Sequence, residues 1–415
     1  MNAARRNGLT ALVAGAVLVL ATACGGSSGG TTTTGSAGSG SSGGSGGDSA
    51  TSSQAPANSA AQLSISPKNE ATNVDTQGAL KVSVASGKLT TVQVTSDDGG
   101  KVAGSISADG VSWTPTSNLK TSTHYNVVAT AQDANGRSVT DRSSFTTLTP
   151  AATNIGYFNV NPGQTYGVGI EVSINFAKSV SLSKRAAVEK AVTVTADPAV
   201  EVKGHWFGQS RLDFRPESYW KPGTKVTLHL HLNGVQTSAG VYGKQYKDVS
   251  FTIGRYQVSV ADNTAHTLKV YSAPGVLRRK LPASLGDPQH TTYNGKMVIT
   301  EKDPVVDMNS QTVGLGNAYR IKDVPHAMRL TTSGTFVHGN YWRPVSVFGS
   351  ENTSHGCVGL HDVKGGGDPT TPAAWFYNAS LIGDVVQVVN SPDKVVSPDN
   401  GLNGWNMSWS AWTSN

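Results

Sequence analysis

The sequence of 415 residues predicts a mainly β protein, with two β-sandwiches followed by a further β-rich domain and a short tryptophan-rich tail. In the first two regions, short runs of Val, Thr and Ser alternate with turn signals such as Asn135-Gly136, and this spacing is typical of sandwiches. In the third region, apolar residues recur at alternate positions, as at Val258 and Val260. Such alternation indicates strands with one buried face.

These patterns, read in order, divide the chain into segments. An export signal is predicted over 1–24, a flexible linker over 25–61, the sandwiches over 62–149 and 150–253, the β-rich domain over 254–391 and a packing segment over 392–415. Two helices are expected within them, at 184–191 and at 372–379. Pro372 suits the first turn of the second helix, because its missing N–H is not needed there.

The N-terminus has the layout of an export signal. Arg5 and Arg6 precede an apolar run over 9–20 that is too short for a confident transmembrane helix, and small residues lead directly to Cys24. This resembles a bacterial lipoprotein box, so we expect Cys24 to carry a lipid that anchors the protein to the outer face of the cell membrane. Ala21 stands where lipoproteins usually have leucine, which leaves ordinary secretion as the alternative.

The linker over 25–61 consists almost wholly of Gly, Ser, Thr and Ala. Such a composition cannot bury an apolar face and predicts disorder. A flexible chain of this length has a root-mean-square span of roughly 30–35 Å. We therefore expect the linker to act as a tether that lets the folded part reach away from the membrane.

The overall charge excludes one class of function. The chain has 33 Lys and Arg against 27 Asp and Glu, a net charge of +6, and the basic residues are scattered. Nucleic-acid binding is not expected, because it requires a basic patch and an accessible compartment.

Two histidines of the second sandwich, His229 and His231, alternate with leucines. Period-two alternation predicts that the leucines face the core and the histidines the solvent. A pair of metal ligands is the other interpretation, but the sequence offers no obvious third ligand nearby, so no metal or other cofactor is expected.

The tail contains Trp405, Trp409 and Trp412 within a short span. Packing against the folded part is the predicted role of these rings. Stacking on sugars is the alternative, because tryptophan faces suit both.

Cys357 lies in the run Ser354-His355-Gly356-Cys357, and with Cys24 lipidated it has no disulfide partner in the chain. A free thiol with a pKa near 8.5 is only roughly 3% thiolate at pH 7, so a nucleophilic cysteine needs a neighbouring base or positive charge. His338 and His355 are the candidates. Gly356 allows a sharp bend that would let backbone N–H groups converge beside the sulfur as an oxyanion hole.

These residues resemble the catalytic signature of the L,D-transpeptidases of the bacterial cell wall, in their actinobacterial lipoprotein branch. The likeness covers His338-Gly339-Asn340-Tyr341-Trp342, the Ser354–Cys357 run and flanking stretches from 294 to 386. It implies that the two sandwiches are immunoglobulin-like and that the 254–391 region is the catalytic domain. Many relatives have asparagine two residues after the cysteine, where this chain has Gly359.

The resemblance also assigns roles. Cys357 would be the nucleophile and His338 the general base, and the Ser354, His355 and Gly356 run would shape the oxyanion pocket. Substrate contacts would come from Tyr319, Ser333, Gly339 and Trp342. Packing of Ser333 in a loop is an equal alternative. The 344–353 loop, which is polar and contains glycine, is expected to cover the reacting group.

The activity implied is formation of 3→3 peptidoglycan cross-links through an acyl-thioester, with release of D-alanine. The partners would be a donor tetrapeptide stem, an acceptor stem and the membrane, which would hold the lipid anchor while the protein reaches into the cell wall. A carbapenem would acylate the same sulfur. Hydrolysis of the same acyl-enzyme, as in an L,D-carboxypeptidase, is an alternative, as is a wall-binding scaffold without catalysis. A zinc hydrolase using His338, His355, Cys357 and His361 is a further alternative, although these positions are too closely bunched for a typical zinc site.

Overall fold

The computed structural model describes residues 58–313 and 320–414, and within them the predicted mainly β architecture is confirmed. The signal peptide, Cys24, most of the linker and Tyr319 lie outside the described residues. None of the helices in the described ranges is long and apolar enough to cross a membrane.

The first sandwich packs two sheets with strand orders β1-β3-β6-β5 and β2-β8-β7-β4. Alternation places Val82 and Val84 of β3 inside, around Trp113 and Phe145. Ala61, predicted to end the linker, is buried in this core because it directly precedes the first strand. The strands are β1 (Gln62–Ser66), β2 (Ala71–Val74), β3 (Lys81–Ala85), β4 (Lys88–Ser96), β5 (Gly104–Ile106), β6 (Ser112–Pro115), β7 (His124–Gln132) and β8 (Ser138–Thr147).

The second sandwich has sheets of order β10-β12-β15-β14 and β11-β19-β16-β13, with a small third sheet β17-β18-β9. The predicted helix is present, preceded by a 3₁₀ turn at Leu182–Lys184. The elements are β9 (Ala152–Asn154), β10 (Gly156–Phe158), β11 (Thr165–Tyr166), β12 (Val172–Phe176), α1 (Arg185–Ala191), β13 (Val192–Asp197), β14 (Val202–Phe207), β15 (Arg211–Pro216), β16 (Lys225–His231), β17 (Gln236–Ser238), β18 (Val241–Gly243) and β19 (Tyr246–Ile253).

The third domain is a single curled sheet of order β23-β28-β20-β21-β22-β27-β26-β25-β24 in the described residues. The second predicted helix begins at Pro372, where the Thr371 hydroxyl accepts a hydrogen bond from the Ala374 N–H. The elements are β20 (Val258–Asp262), β21 (Thr267–Ala273), β22 (Val276–Ser284), β23 (Gly295–Val298), β24 (Glu301–Asn309), β25 (Arg320–Arg329), β26 (Phe336–Asn340), β27 (Val358–His361), α2 (Pro372–Ala379), β28 (Val385–Val389) and α3 (Trp409–Thr413).

The second sandwich and the third domain share one apolar core. Val258, Val298 and Val385 of the third domain belong to the same buried cluster as the sandwich interior. The backbones touch as well, because Gly167 N–H donates to the Ile382 carbonyl at 2.7 Å and Gly169 N–H to the Gly383 carbonyl at 2.8 Å. A Cβ at Gly169 would lie 2.2 Å from the Val385 side chain, so this close approach requires glycine.

The tail packs into the second sandwich, as the sequence predicts. Trp412 is fully buried and its indole N–H donates to the Lys203 carbonyl at 2.9 Å, while that of Trp405 donates to the Gly169 carbonyl at 2.7 Å. The Arg215 guanidinium lies over both rings, 4.5 Å from the Trp412 centroid and 4.8 Å from that of Trp405. Because their polar edges and faces are engaged in packing, the sugar-stacking interpretation is not supported for these two residues.

Replacing Trp412 should loosen the tail. Trp412→Ala is expected to destabilise the fold by roughly 3–5 kcal/mol, because it removes a large, fully buried ring and leaves a cavity. Trp409→Ala is the matched control, since Trp409 lies in the same helix and is only partly buried. Differential scanning calorimetry should show the larger fall in melting temperature for Trp412→Ala. Equal shifts would contradict the assigned packing role.

Candidate active site

The site is built on a pair of parallel strands. β26 and β27 pair in parallel, with Val337 opposite Val358 and His338 opposite Gly359. Cys357 immediately precedes β27, so the pairing places it beside the start of β26, two residues before His338 on that strand, although nineteen positions separate the two residues in sequence. The register of β26 and β27 therefore brings Cys357 and His338 to one site, as the sequence predicts.

His338 is held in one tautomer. Its side chain is 4% exposed, and Nδ1 lies 2.9 Å from the Gly339 carbonyl oxygen. Because a carbonyl only accepts, Nδ1 carries the proton of the neutral ring and Nε2 is left as an acceptor. The Trp342 ring stacks on the imidazole with centroids 5.6 Å apart and an interplanar angle of 15°. Burial lowers the pKa of His338, which favours the neutral form that a general base requires.

Cys357 is a buried thiol. It is 5% exposed and packs with Met308, Val324 and Phe336, among other apolar residues. Burial raises the pKa of Cys357 to about 11, despite a lowering contribution from the Phe336 backbone N–H. The thiol donates to the Gly334 carbonyl, 3.7 Å away. The resting pair is therefore a neutral thiol and a neutral imidazole, rather than the thiolate beside an imidazolium considered from the sequence, because burial penalises both charged forms.

The turn before the sulfur is fixed by Ser354. Its hydroxyl donates to the Cys357 carbonyl at 2.6 Å and accepts from the Gly356 N–H at 3.2 Å. Gly356 has a φ of +102°, a left-handed conformation that favours glycine, so the predicted sharp bend is present. Since the Gly356 N–H is bonded to Ser354, its role is to shape the pocket rather than to donate to an oxyanion.

His355 lies at the edge of the site and is exposed. Its ring contacts that of His290, with centroids 4.6 Å apart, and His290 Nδ1 in turn lies 3.0 Å from an Asp287 carboxylate oxygen. Burial and the neighbouring His290 lower the pKa of His355. Its position favours orienting a bound group over serving as the base, which is the division of roles that the sequence predicts.

A narrow cavity of about 60 Å³ joins these groups. Met308 of β24 and Ile321 of β25 form one wall, so the hairpin of these strands covers the cysteine. The lining residues are Met308, Ile321, His338, Asn340, Trp342, Arg343, Thr353, Ser354, His355 and Cys357. The arrangement provides a thiol, a neutral base and a partly apolar cavity wall, which together suit acyl transfer.

Comparison with known proteins identifies the family. Residues 256–388 match the model of the L,D-transpeptidase catalytic domain, and residues 71–236 match that of a bacterial Ig domain. L,D-transpeptidase 2 of Mycobacterium tuberculosis is 33% identical over 355 residues, which cover 85% of this chain and 84% of that protein. The chain belongs to the L,D-transpeptidase family.

Two further relatives of this L,D-transpeptidase family member differ in how much of the chain they cover. L,D-transpeptidase 5 of Mycobacterium tuberculosis is 31% identical and covers 86% of this chain and 77% of that protein. A solved structure of an L,D-transpeptidase in complex with imipenem is 29% identical, covers 56% of this chain and 97% of that chain, and has a TM-score of 0.46.

Two of the predicted substrate contacts are placed differently by the structure. Gly339 is buried and does not line the cavity, because Asp362 and Pro325 pack against it within 2.7 Å of where a Cβ would be. Its part in the site is to orient His338 through its carbonyl. Ser333 is exposed and bonded to Asn400, whose Oδ1 accepts from the Ser333 N–H at 3.0 Å, so it packs in the turn that ends at the Gly334 carbonyl.

Trp342 does line the cavity. The predicted cover of the acyl group by the 344–353 loop stays a prediction. Thr353 is the residue of the 344–353 loop that reaches the lining of the cavity, while Val345 is 64% exposed. Met308 of β24 and Ile321 of β25 line the cavity as well, so this strand pair also contributes to the surroundings of the sulfur. Met308, Ile321 and Asn340 could not be assigned from the sequence, since their approach to Cys357 depends on long-range strand pairing.

Potential metal ligands gather away from the cysteine. Among the described residues, ligand atoms lie within 4.8 Å of one another in His229, His231 and Asp248. The set proposed for a zinc hydrolase is not assembled. Asp248 was missed because it pairs with His229 only across β16 and β19. Its Oδ1 already bonds His229 Nδ1 at 2.7 Å and His231 Nε2 at 2.8 Å, so the three groups satisfy one another as a hydrogen-bond network.

The raised pKa of Cys357 predicts that its thiol is alkylated slowly and that the rate depends strongly on pH. With a pKa of about 11, roughly one molecule in 10,000 carries the thiolate at pH 7. Alkylation of Cys357 by iodoacetamide should therefore be on the order of 100-fold slower than that of a free cysteine at pH 7, and should rise with pH toward 11. Peptide mass spectrometry would follow Cys357 specifically. The urea-unfolded protein is the control, and equal rates in both states would refute the burial effect.

Proposed function

We propose that this protein is an L,D-transpeptidase that forms 3→3 cross-links in peptidoglycan through an acyl-thioester on Cys357. The observation that carries the proposal is the pairing of a buried thiol with an imidazole of fixed tautomer in one cavity. Membership of the L,D-transpeptidase family supplies the class of substrate, the stem peptides of the cell wall.

In the first half-reaction the thiol proton turns from the Gly334 carbonyl toward His338 Nε2 as the sulfur attacks the donor peptide. The attacked carbonyl belongs to the L-centre of the diamino acid at stem position three. A C–S bond forms, and the C–N bond to the terminal D-alanine breaks. The imidazolium returns its proton to the departing nitrogen, so D-alanine leaves with a neutral amine group and His338 is ready to act again.

In the second half-reaction the side-chain amine of another stem attacks the thioester. His338 accepts the proton of that amine, a C–N bond forms and the C–S bond breaks, which restores the thiol. Because proton transfer and bond formation are coupled, neither step requires a free thiolate in the resting enzyme. This suits a cysteine whose burial raises its pKa to about 11.

Whether the acyl-enzyme reacts with an amine or with water depends on how well the acyl group is shielded from solvent. Met308 and Ile321 of the β24–β25 hairpin place apolar surface beside the sulfur, which disfavours water. This supports cross-linking over the L,D-carboxypeptidase activity that would release the acyl group to water. A carbapenem, which presents a strained carbonyl, is proposed to acylate the same sulfur.

The proposed location follows from the N-terminal sequence. A lipid on Cys24 would anchor the chain to the outer face of the membrane, and the linker with the two sandwiches would hold the catalytic domain within the wall. Metabolic labelling with a lipid precursor tests the anchor, with Cys24→Ala expected to lose the label.

The central test is incubation with a disaccharide-tetrapeptide followed by intact mass measurement. The protein should gain the mass of the donor minus D-alanine, and peptide mapping should place the adduct on Cys357. Addition of an acceptor stem should then give a cross-linked product, whereas a predominance of tripeptide would indicate the carboxypeptidase. Absence of an adduct under reducing conditions, with wild-type and Cys357→Ala proteins behaving alike, would favour the scaffold.

The two histidines should differ in the same assay. His338→Ala is expected to abolish adduct formation, because it removes the only acceptor that the proposed mechanism uses. His355→Ala should slow it by roughly ten- to a hundredfold, the range for a group that orients the reactants. Quenching the reaction at successive times and measuring the adduct by mass spectrometry gives both rates. Equal and complete loss in the two variants would leave the assignment of roles without support.

A further inference from the structure

Asn340 is a polar side chain that the mechanism above does not use. It ends β26, is 2% exposed and lines the cavity together with His338 and Cys357. In a strand, residues two apart point to the same face, so Asn340 lies on the His338 face. Its carboxamide is therefore inside the reactive cavity rather than in the general core.

The Asn340 side chain lies next to position 359 of the neighbouring strand, where the chain has a glycine. Gly359 pairs with His338 across the parallel strands, so a side chain there would lie on the same face. A Cβ built on Gly359 would come within 3.5 Å of Asn340 Nδ2 and 3.7 Å of Asn340 Cβ. The Asn340 side chain thus lies beside the bare backbone of Gly359.

The Asn340 Oδ1 atom is buried and has no hydrogen-bond partner among residues 58–313 and 320–414. The large majority of buried polar side-chain atoms are paired, and leaving one unpaired destabilises the folded protein. An unpaired acceptor in the cavity of the nucleophile is best explained by a donor that arrives with a ligand. The ligand expected in this cavity is the donor peptide, which carries backbone N–H groups.

We propose that Asn340 is a substrate-binding residue whose Oδ1 accepts a hydrogen bond from an N–H of the donor stem peptide. This rests on the proposed function, since it names a contact within the same acylation step. Gly359 is the neighbouring position from which a carboxamide could reach the same part of the cavity.

The test measures adduct formation on Cys357 in the full-length protein against the concentration of disaccharide-tetrapeptide. Asn340→Ala should raise the half-saturating concentration roughly three- to tenfold, the effect of losing one neutral hydrogen bond. The maximal acylation rate should stay within about twofold, because the contact is made to bound substrate in both ground and transition states. The melting temperature should not fall, since an unpaired buried acceptor is removed.

A second variant separates binding from packing. In Asn340→Ala/Gly359→Asn the carboxamide is returned to the cavity from the neighbouring strand, at a position whose φ lies outside the left-handed region. This double variant should recover at least half of the lost affinity. Gly359→Asn alone should not improve on wild type, because Asn340 already fills the space.

The outcomes are distinct. If wild-type protein forms no adduct, the proposed function fails and this inference fails with it. If wild type is acylated and Asn340→Ala has an unchanged half-saturating concentration, the inference alone is overturned. A lowered melting temperature with no rescue by the double variant would also overturn it, since that pattern marks a purely structural residue.

Discussion

The register between β26 and β27 is the constraint on which the site depends. Parallel pairing sets His338 opposite Gly359, and the same register fixes which residue of β26 lies beside Cys357. A slip of one residue would turn His338 and Asn340 to the opposite face of the sheet. The Ser354 hydroxyl then fixes the remaining freedom, because it bonds both the Gly356 N–H and the Cys357 carbonyl and so holds the turn that enters β27.

Burial decides the chemistry of the resting site. The pKa of Cys357 rises and that of His338 falls for the same reason, the removal of water from both groups. Each shift favours the neutral form, so together they oppose an ion pair and favour proton transfer at the moment of attack. The Gly339 carbonyl makes this possible, since it fixes the proton on Nδ1 and leaves Nε2 as acceptor. A glycine that seemed from the sequence to contact substrate is instead what orients the base.

The sequence predicted the features that are local in the chain. Cys357, His338 and the bend at Gly356 lie in short runs whose residue types indicate their chemistry. The alternation of apolar residues predicted the strands and the side of the sheet on which His229 and His231 lie. The features it missed require knowledge of which strands pair. Met308 and Ile321 reach the sulfur from the β24–β25 pair. Asp248 meets His229 only across β16 and β19, and Asn340 meets Gly359 only across β26 and β27. Tyr319 remains a prediction from the family resemblance.

The second sandwich is more than a spacer that precedes the catalytic domain. Its core continues into that of the third domain, and the backbone contacts of Gly167 and Gly169 join it to the turn before β28. β28 pairs with β20, which leads through β21 and β22 to β27 and the cysteine. The buried Trp405 and Trp412, held against Arg215, close the same joint from the tail. Since a packed interface of this kind resists hinge motion, the orientation of the active site is set by the second sandwich.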